Sequence, residues 1–389
     1  MTTSEPTTPS ISHDEIREAV ADLCSRFPDP YWREVDGQKR YPQEFVEALT
    51  EAGWLSVLIP EEYGGGGLGF TEGCIVLEEI NRSGANSAAC HAQMYTMGAL
   101  LRHGSPEQKA RYLPEIAAGR LRLQAFAVTE PDAGSDSTAI STFARREGDT
   151  YVVNGRKVWT SRALQSDLMI LLARTTPKGQ EEKRTDGLST FLIDMREVDG
   201  ITINPIETMV NHATNEVIFD DVVIPADSLL GVEGKGFRHI LDGMNAERML
   251  LASESIGDAR WFLERATRYA NERVVFGRPI GQNQGVAFPL ARAYAHTQGA
   301  ALARDHAVAL VDRGEPCGTE ANLAKLLSSE AAWEAANAAM DTFGGYGMAV
   351  EYDIERKFRE ARLFLVAPVA NNLVLAHLAT HSLGLPKSY

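Results

Sequence analysis

The sequence predicts a mainly α-helical protein built around a central β domain. Two changes of period and one absence lead there. Apolar residues recur at helical spacing from Ser12 to about Gly119, give way near Gln124 to short strand-like runs, and return to helical spacing at Gly236. Nowhere do strands and helices alternate as a parallel sheet requires. The expected layout is an N-terminal α domain over residues 11–123, a middle β-barrel or sandwich over 124–233 and a C-terminal helical bundle over 234–389. Residues 1–10, rich in Thr, Ser and Pro, are expected to be a loose tail.

Local signals support each element in turn. Ser12 with Glu15 is a capping-box signature ahead of Ile16, Val20 and Leu23. Helical segments follow at residues 42–52, 71–81, 88–103 and 105–118, the last opened by Ser105–Pro106–Glu107, with Pro at the first helical position. After Gln124 the strand candidates are residues 168–173, 190–194, 201–203 and 216–223. A hairpin is expected around Asn154–Gly155, because Asn-Gly suits a type I′ turn. Residues 178–186, charged and Gly-containing, read as a surface loop. Helices are then expected over 236–276, 286–313, 320–343, 350–362 and 368–382.

Composition excludes several classes of function. A net charge of −15 argues against nucleic acid or an anionic membrane as the main partner. No apolar run is long enough to span a bilayer. Cys24, Cys74, Cys90 and Cys317 are isolated, which suggests neither a disulfide framework nor a zinc site. The first residues lack the look of a targeting peptide, so a reducing cytoplasm is the expected location.

The chemistry-bearing stretch is residues 124–136 (QAFAVTEPDAGSD), an apolar strand opening into a loop with Thr129, Asp132, Gly134, Ser135 and Asp136. Some twenty residues on come Trp159, Thr160 and Ser161. Backbone N–H groups, small hydroxyls and one large flat ring suit a planar cofactor with polar edges. Other motifs fall away. Gly64, Gly66 and Gly69 fit a dinucleotide fingerprint, but the glycines join two helical segments and read as a turn. Asp132–Asp136 lacks the order of a calcium loop. Gly344–Gly347 reads as a helix cap. Glu247 shares a helical stripe with Ile240, Met244 and Leu251, which points its carboxylate inward. It is either a general base of raised pKa or half of a buried pair with Arg248 or another buried cation. Arg273 and Gln284 are suited to a pyrophosphate. Arg162 and His212 are expected at solvated surface positions, contact with a polar part of a ligand being the alternative.

Together these pieces resemble the acyl-CoA dehydrogenase family over about residues 12–384. The matching stretches are residues 124–136, 155–162, 219–236, 272–284, 343–347 and 359–362, in the family's order. AVTEPDAGSD and the spacing of Arg273, Phe276, Gly277, Ile280 and Gln284 are the most specific. The resemblance implies a C-terminal four-helix bundle, a homotetramer, FAD as cofactor and an electron-transfer flavoprotein as partner. It implies that Phe126, Ala127, Val128 and Thr129 contact the flavin's pyrimidine edge, and that Trp159, Thr160 and Ser161 pack beside its ring. Ser135, Asn245 and Arg248 would touch the CoA thioester. Arg273, Phe276 and Gln284 would reach a neighbouring subunit's FAD, and Asp341, Gly344 and Gly345 would receive its pyrophosphate side.

The departures decide the reaction. Most relatives carry their base in a loop after an Arg-Asp-Ala-Lys-like stretch. Here Arg359–Glu360–Ala361–Arg362 leads into Ala367–Pro368–Val369–Ala370, and Pro368 cannot accept a proton. A minority of the family place the base on the first helix of the C-terminal domain, where Glu247 stands. Asp341 replaces a common Gln, and Asn211–His212 replaces residues that are usually small or basic. The implied reaction is dehydrogenation of an acyl-CoA to a trans-2-enoyl-CoA, Glu247 taking the α-proton and flavin N5 the β-hydride. The thioester carbonyl would be held by a backbone N–H and a ribityl hydroxyl. Acyl-CoA desulfination, reduction or flavin-dependent oxygenation are the alternatives, as is a non-catalytic thioester-binding role.

Overall fold

The computed structural model describes residues 11–387, and the expected tail over residues 1–10 lies outside them. The chain begins with six helices: α1 (His13–Ser25), α2 (Asp29–Gly37), α3 (Gln43–Glu51), α4 (Phe70–Arg82), α5 (Ala88–His103) and α6 (Pro106–Ala117). Local chemistry starts two of them as expected. Ser12 Oγ accepts from the Glu15 N–H at 3.2 Å while the Ser12 N–H donates to Glu15 Oε2 at 2.8 Å. Ser105 and Gln108 form the same reciprocal pair, with Pro106 at the first helical position. The glycine-rich stretch before α4 is a tight turn. Gly66, Gly67 and Leu68 donate to the carbonyls of Ser56, Ile59 and Val57, which no dinucleotide loop would do.

The middle strands are β1 (Leu123–Ala127), β2 (Phe143–Glu147), β3 (Thr150–Ser161), β4 (Leu168–Arg174), β5 (Leu188–Asp194), β6 (Ile201–Pro205), β7 (Thr214–Pro225) and β8 (Leu229–Leu230). Their order is β6-β7-β3-β2-β4-β5-β8, with β1 parallel to β4. β2 meets β4 only at Phe143–Arg174, where the sheet turns back on itself. The two halves enclose Tyr151, Val153, Met169, Leu171, Phe191 and Phe219.

The expected Asn154–Gly155 hairpin is wrong. Strand β3 runs straight through both residues, and the turn lies at Gly148–Asp149, between β2 and β3. Gly155 answers a different need: a Cβ there would stand 2.4 Å from Thr142 Oγ1, so it permits a close backbone approach. Asn154 instead donates to Asp221 at 2.9 Å.

Helices return with α7 (Gly236–Glu272), about 55 Å long at the usual rise. It ends short of the expected Phe276. Val274–Val275 (β9) and Arg278–Pro279 (β10) form a small hairpin whose two turn residues, Phe276 and Gly277, both have positive φ. Then come α8 (Gln284–Asp312), α9 (Gly318–Phe343), α10 (Ile354–Leu363) and α11 (Asn371–His377). α10 starts later than its periodicity implies, because Asp353 is left-handed at φ 62°.

α7 is the axis of the molecule. It packs on α4 and α5 of the first helices, on α8 and α9 of the bundle, and its first turn lies against β5. A Cβ at Gly257 would meet the Glu78 carbonyl at 2.4 Å, which marks how closely α4 crosses it. Buried ion pairs tie α8 and α10 in around this crossing. Glu78 accepts from Arg304 at 2.7 Å, and Lys357 lies 2.5 Å from Asp258 and 2.7 Å from Glu360.

Candidate active site

Where the three regions meet, a cavity of about 580 Å³ opens. One wall comes from the β strands. The chain leaving β1 and the end of β3 are tied together by the Val158 N–H, which donates to the Thr129 carbonyl at 2.9 Å. Lys157 Nζ reaches the Val128 carbonyl and Glu130 Oε1, each at 2.9 Å. Glu130 also accepts from the N–H groups of Ser141 and Thr142 at 2.6 and 2.8 Å. Burial would raise the Glu130 carboxyl, but Lys157 and these donors more than offset it and hold it at about 2. The Lys157 ammonium is lowered to about 8 by its burial, against the pull of Glu130.

This clamp presents a row of groups to the cavity. Phe126, Val128, Thr129, Ser135, Trp159 and Ser161 all line it. Trp159 has φ 61°, and the pairing of β3 with β7 slips between Lys157 and Thr160. The slip turns the indole outward, 59% exposed, while Thr160 is sealed inside. Ala127 is likewise fully buried, so neither side chain reaches the cavity. Thr129 Oγ1 makes no hydrogen bond among the described residues, and Ser161 Oγ accepts from Asn211 Nδ2 at 2.8 Å.

The opposite wall is helical. Ile240, Met244, Glu247, Leu251 and Glu254 of α7 line the cavity along one stripe, joined by Ser87, His91 and Tyr95 at and along α5. Glu247 is buried, as its place in the stripe predicts. Burial raises its carboxyl to about 7, opposed by the positive His91 and Arg248 nearby. No pair with Arg248 forms. That guanidinium donates to Asn245 Oδ1 at 2.9 Å, and Glu247 has no side-chain partner among the described residues. Asn245 itself does not line the cavity, whereas Arg248 does. The segment Ala367, Pro368, Val369 and Ala370 also faces the cavity, with no carboxylate in it.

Two expectations about this region need correction. Arg162 is not a surface residue: it is left-handed at φ 58°, 7% exposed, and lines the cavity. Among the described residues its only side-chain partner is Asn211 Oδ1 at 3.2 Å. His212 is half-buried and pairs with Asp36 at 3.0 Å, the carboxylate that Arg359 also grips at 2.6 Å. Sequence reasoning missed His91 and Glu254 altogether. Glu254 had a signal, since it lies seven residues beyond Glu247 on the same stripe.

The remaining candidates stand elsewhere. Arg273, Phe276, Gln284, Asp341, Gly344 and Gly345 are all exposed and none lines the cavity. Arg273 stands beside the turn that holds Gly344 and Gly345, its guanidinium 5.6 Å from the centre of the Tyr346 ring. Phe276 is 100% exposed at the hairpin tip.

Comparison with known proteins agrees along the whole chain. Residues 10–120, 125–222 and 234–370 match the N-terminal, middle and C-terminal domains of acyl-CoA dehydrogenase. The chain is 35% identical to the acyl-CoA dehydrogenase FadE12 of Mycobacterium tuberculosis over 96% of each protein. It is 33% identical to a 3-(aryl)acrylate reductase of Clostridium sporogenes, over 91% of this chain and 94% of the relative. Among solved structures, the complex of glutaryl-coenzyme A dehydrogenase with glutaryl-CoA superposes with a TM-score of 0.90 at 32% identity, covering 99% of this chain and 98% of that one.

Proposed function

The chain belongs to the acyl-CoA dehydrogenase family, and we propose that it oxidises an acyl-CoA to the trans-2-enoyl-CoA with FAD, Glu247 being the base. One observation carries the reading. Glu247 is the carboxylate on the cavity wall that is buried, free of any ion pair among the described residues, and raised to a pKa of about 7. A base poised near the working pH combines availability with driving force.

The residues present fit the cofactor. A free Thr129 hydroxyl, the Ser161 hydroxyl and an outward indole at Trp159 form an edge-and-face set suited to a flavin ring, with Phe126 and Val128 beside it. FAD, when bound, supplies the two-electron oxidant for the Cα–Cβ bond. Glu247 removes the α-proton at a carboxylate oxygen, and Ser135 and Arg248 steady the thioester. The helices of the opposite wall exclude water, which strengthens every charge interaction inside. Pro368 and its neighbours shape the wall without taking part in proton transfer.

We assign Arg273, Phe276, Gln284, Asp341, Gly344 and Gly345 to the far end of a neighbouring subunit's FAD. Support comes from their shared exposure and from Phe276, which packs on nothing among the described residues. A homotetramer would cover that edge. Reducing equivalents would pass to an electron-transfer flavoprotein. Four buried cysteines, unpaired among the described residues, suit a reducing cytoplasm. By microscopic reversibility, protonated Glu247 would serve a reductase equally well, so the direction is set by the acceptor.

The test is Glu247→Gln. The variant is expected to bind FAD like the wild type and to lose acyl-CoA oxidation by about a thousandfold. Near-normal turnover would refute the assignment.

A further inference from the structure

Where β3 ends, one hydroxyl of the cavity wall is held from behind by a chain of hydrogen bonds with a fixed direction. Ser161 Oγ accepts from Asn211 Nδ2 at 2.8 Å, and Asn211 Oδ1 accepts in turn from Arg162 Nη2 at 3.2 Å. The neighbours leave the amide one orientation. A guanidinium can only donate, so the amide oxygen must face Arg162. Thr214 spends its hydroxyl proton on the Asn211 carbonyl at 2.6 Å, and its oxygen is left to accept from Asn211 Nδ2 at 3.1 Å. The NH2 group therefore faces Ser161 as well. Ser161 Oγ is an acceptor on that side, and its own proton has no acceptor among the described residues. Ser161 lines the cavity, where that proton is free to be donated.

This chain is costly to build. Arg162 and Asn211 are both left-handed, at φ 58° and 55°, which L residues adopt only against a steric penalty. The Arg162 guanidinium is 7% exposed and meets a neutral amide, with no carboxylate beside it among the described residues. Equally buried cations elsewhere are matched: Lys157 has Glu130, Arg304 has Glu78 and Lys357 has Asp258. Strain and an unmatched charge therefore converge on one small hydroxyl. Hydrogen bonds in series polarise one another, so a cation at the start of the chain strengthens the donor at its end.

We propose that Arg162 and Asn211 are positioning residues that hold Ser161 as a hydrogen-bond donor into the cavity, toward an acceptor atom on the edge of the bound flavin ring. The inference rests on reading the cavity as a flavin site. Arg162 supplies the charge, Asn211 the direction and Ser161 the contact.

The decisive substitution is Asn211→Asp. It keeps the shape and the contact with Arg162 but turns the NH2 group into an acceptor, so the Ser161 proton swings back toward it. FAD affinity, from flavin release on dilution of the loaded protein, and the position of the visible flavin band are read in place of turnover. Asn211→Asp is expected to weaken FAD binding about tenfold and to shift the band in the same direction as Ser161→Ala does. In the Ser161→Ala background the same substitution should cost about twofold or less, because no hydroxyl remains to be turned. Arg162→Gln, which can still donate to Asn211 but carries no charge, should weaken FAD binding roughly threefold, and Arg162→Lys should restore most of the wild-type band. Melting temperature checks that each variant folds. Wild-type affinity with an unshifted band in Asn211→Asp overturns the proposal. So does an equal loss in the Ser161→Ala background, which would make the new charge itself the cause. Should Asn211→Asp not fold, Arg162→Gln decides, and wild-type affinity and band in that variant overturn the proposal. Failure of the unsubstituted protein to bind FAD would instead sink the flavin reading on which it rests.

Discussion

The two walls of the cavity are built on different principles. The β wall offers hydroxyls, main chain, one flat ring and the fixed charges of Asp136 and Arg162, while Glu130 and Lys157 are spent behind it on holding two loops together. The helical wall carries titratable groups on its face: Glu247, His91 and Glu254. A wall of dipoles and rings can bind a cofactor without taking up or releasing protons as pH changes. A wall of buried acids and bases can move a proton, and its state depends on pH. Under the proposed function, holding and reacting are divided between the middle domain and the helices.

Substitutions should separate these roles. The largest effect is expected at Glu247, where Gln removes about three orders of magnitude of turnover and leaves FAD content unchanged. Next is Trp159→Ala on the opposite wall. It should weaken FAD binding about tenfold, read by flavin release on dilution, while FAD-saturated enzyme keeps most of its rate. If Trp159→Ala spared FAD and Glu247→Gln expelled it, the division would be wrong. The exposed bundle edge gives a third case. Phe276→Asp should lower the oligomeric state seen by light scattering and reduce bound FAD, without altering the helical content.

A smaller effect concerns stability. The Glu247 carboxyl is raised from 4.5 to about 7, so the folded protein holds this proton more tightly than the unfolded chain. Its contribution is fully present below pH 4.5 and is lost as pH rises through 7. Glu247→Gln lacks that loss. Relative to wild type, it should gain on the order of 2–3 kcal/mol between pH 5 and pH 8 in denaturant titrations. No such change would mean that Glu247 is not buried as described.

How much of this was legible in the sequence follows the same division. The β-wall residues lie in two short runs, and local spacing brings Thr129 and Trp159 into view. Glu247 was legible from the stripe on α7, because helical period alone decides which side chains turn inward. His91 was not, for its partner Glu254 lies more than 160 positions away, and only packing of α5 on α7 brings them together. Local rules failed where tertiary contacts overruled them. Asn154–Gly155 looked like a turn, yet Thr142 needed the space above Gly155. Arg162 looked solvated, yet a left-handed backbone turns it inward. The hairpin at Phe276–Gly277 was read as helix because its short strands carry too few residues to show a period.

The central claim is that the proton leaves through Glu247 on α7 and not through the loop at Pro368. It is tested most directly by the rate at which an acyl-CoA substrate bleaches the flavin anaerobically, measured from pH 5.5 to 9 in wild type and Glu247→Gln. Only the ionised carboxylate accepts a proton, so the wild-type rate should climb through about pH 7 and then level off. The Gln variant should be slow and flat throughout. A rate that persists in Glu247→Gln with the same pH dependence would contradict the account.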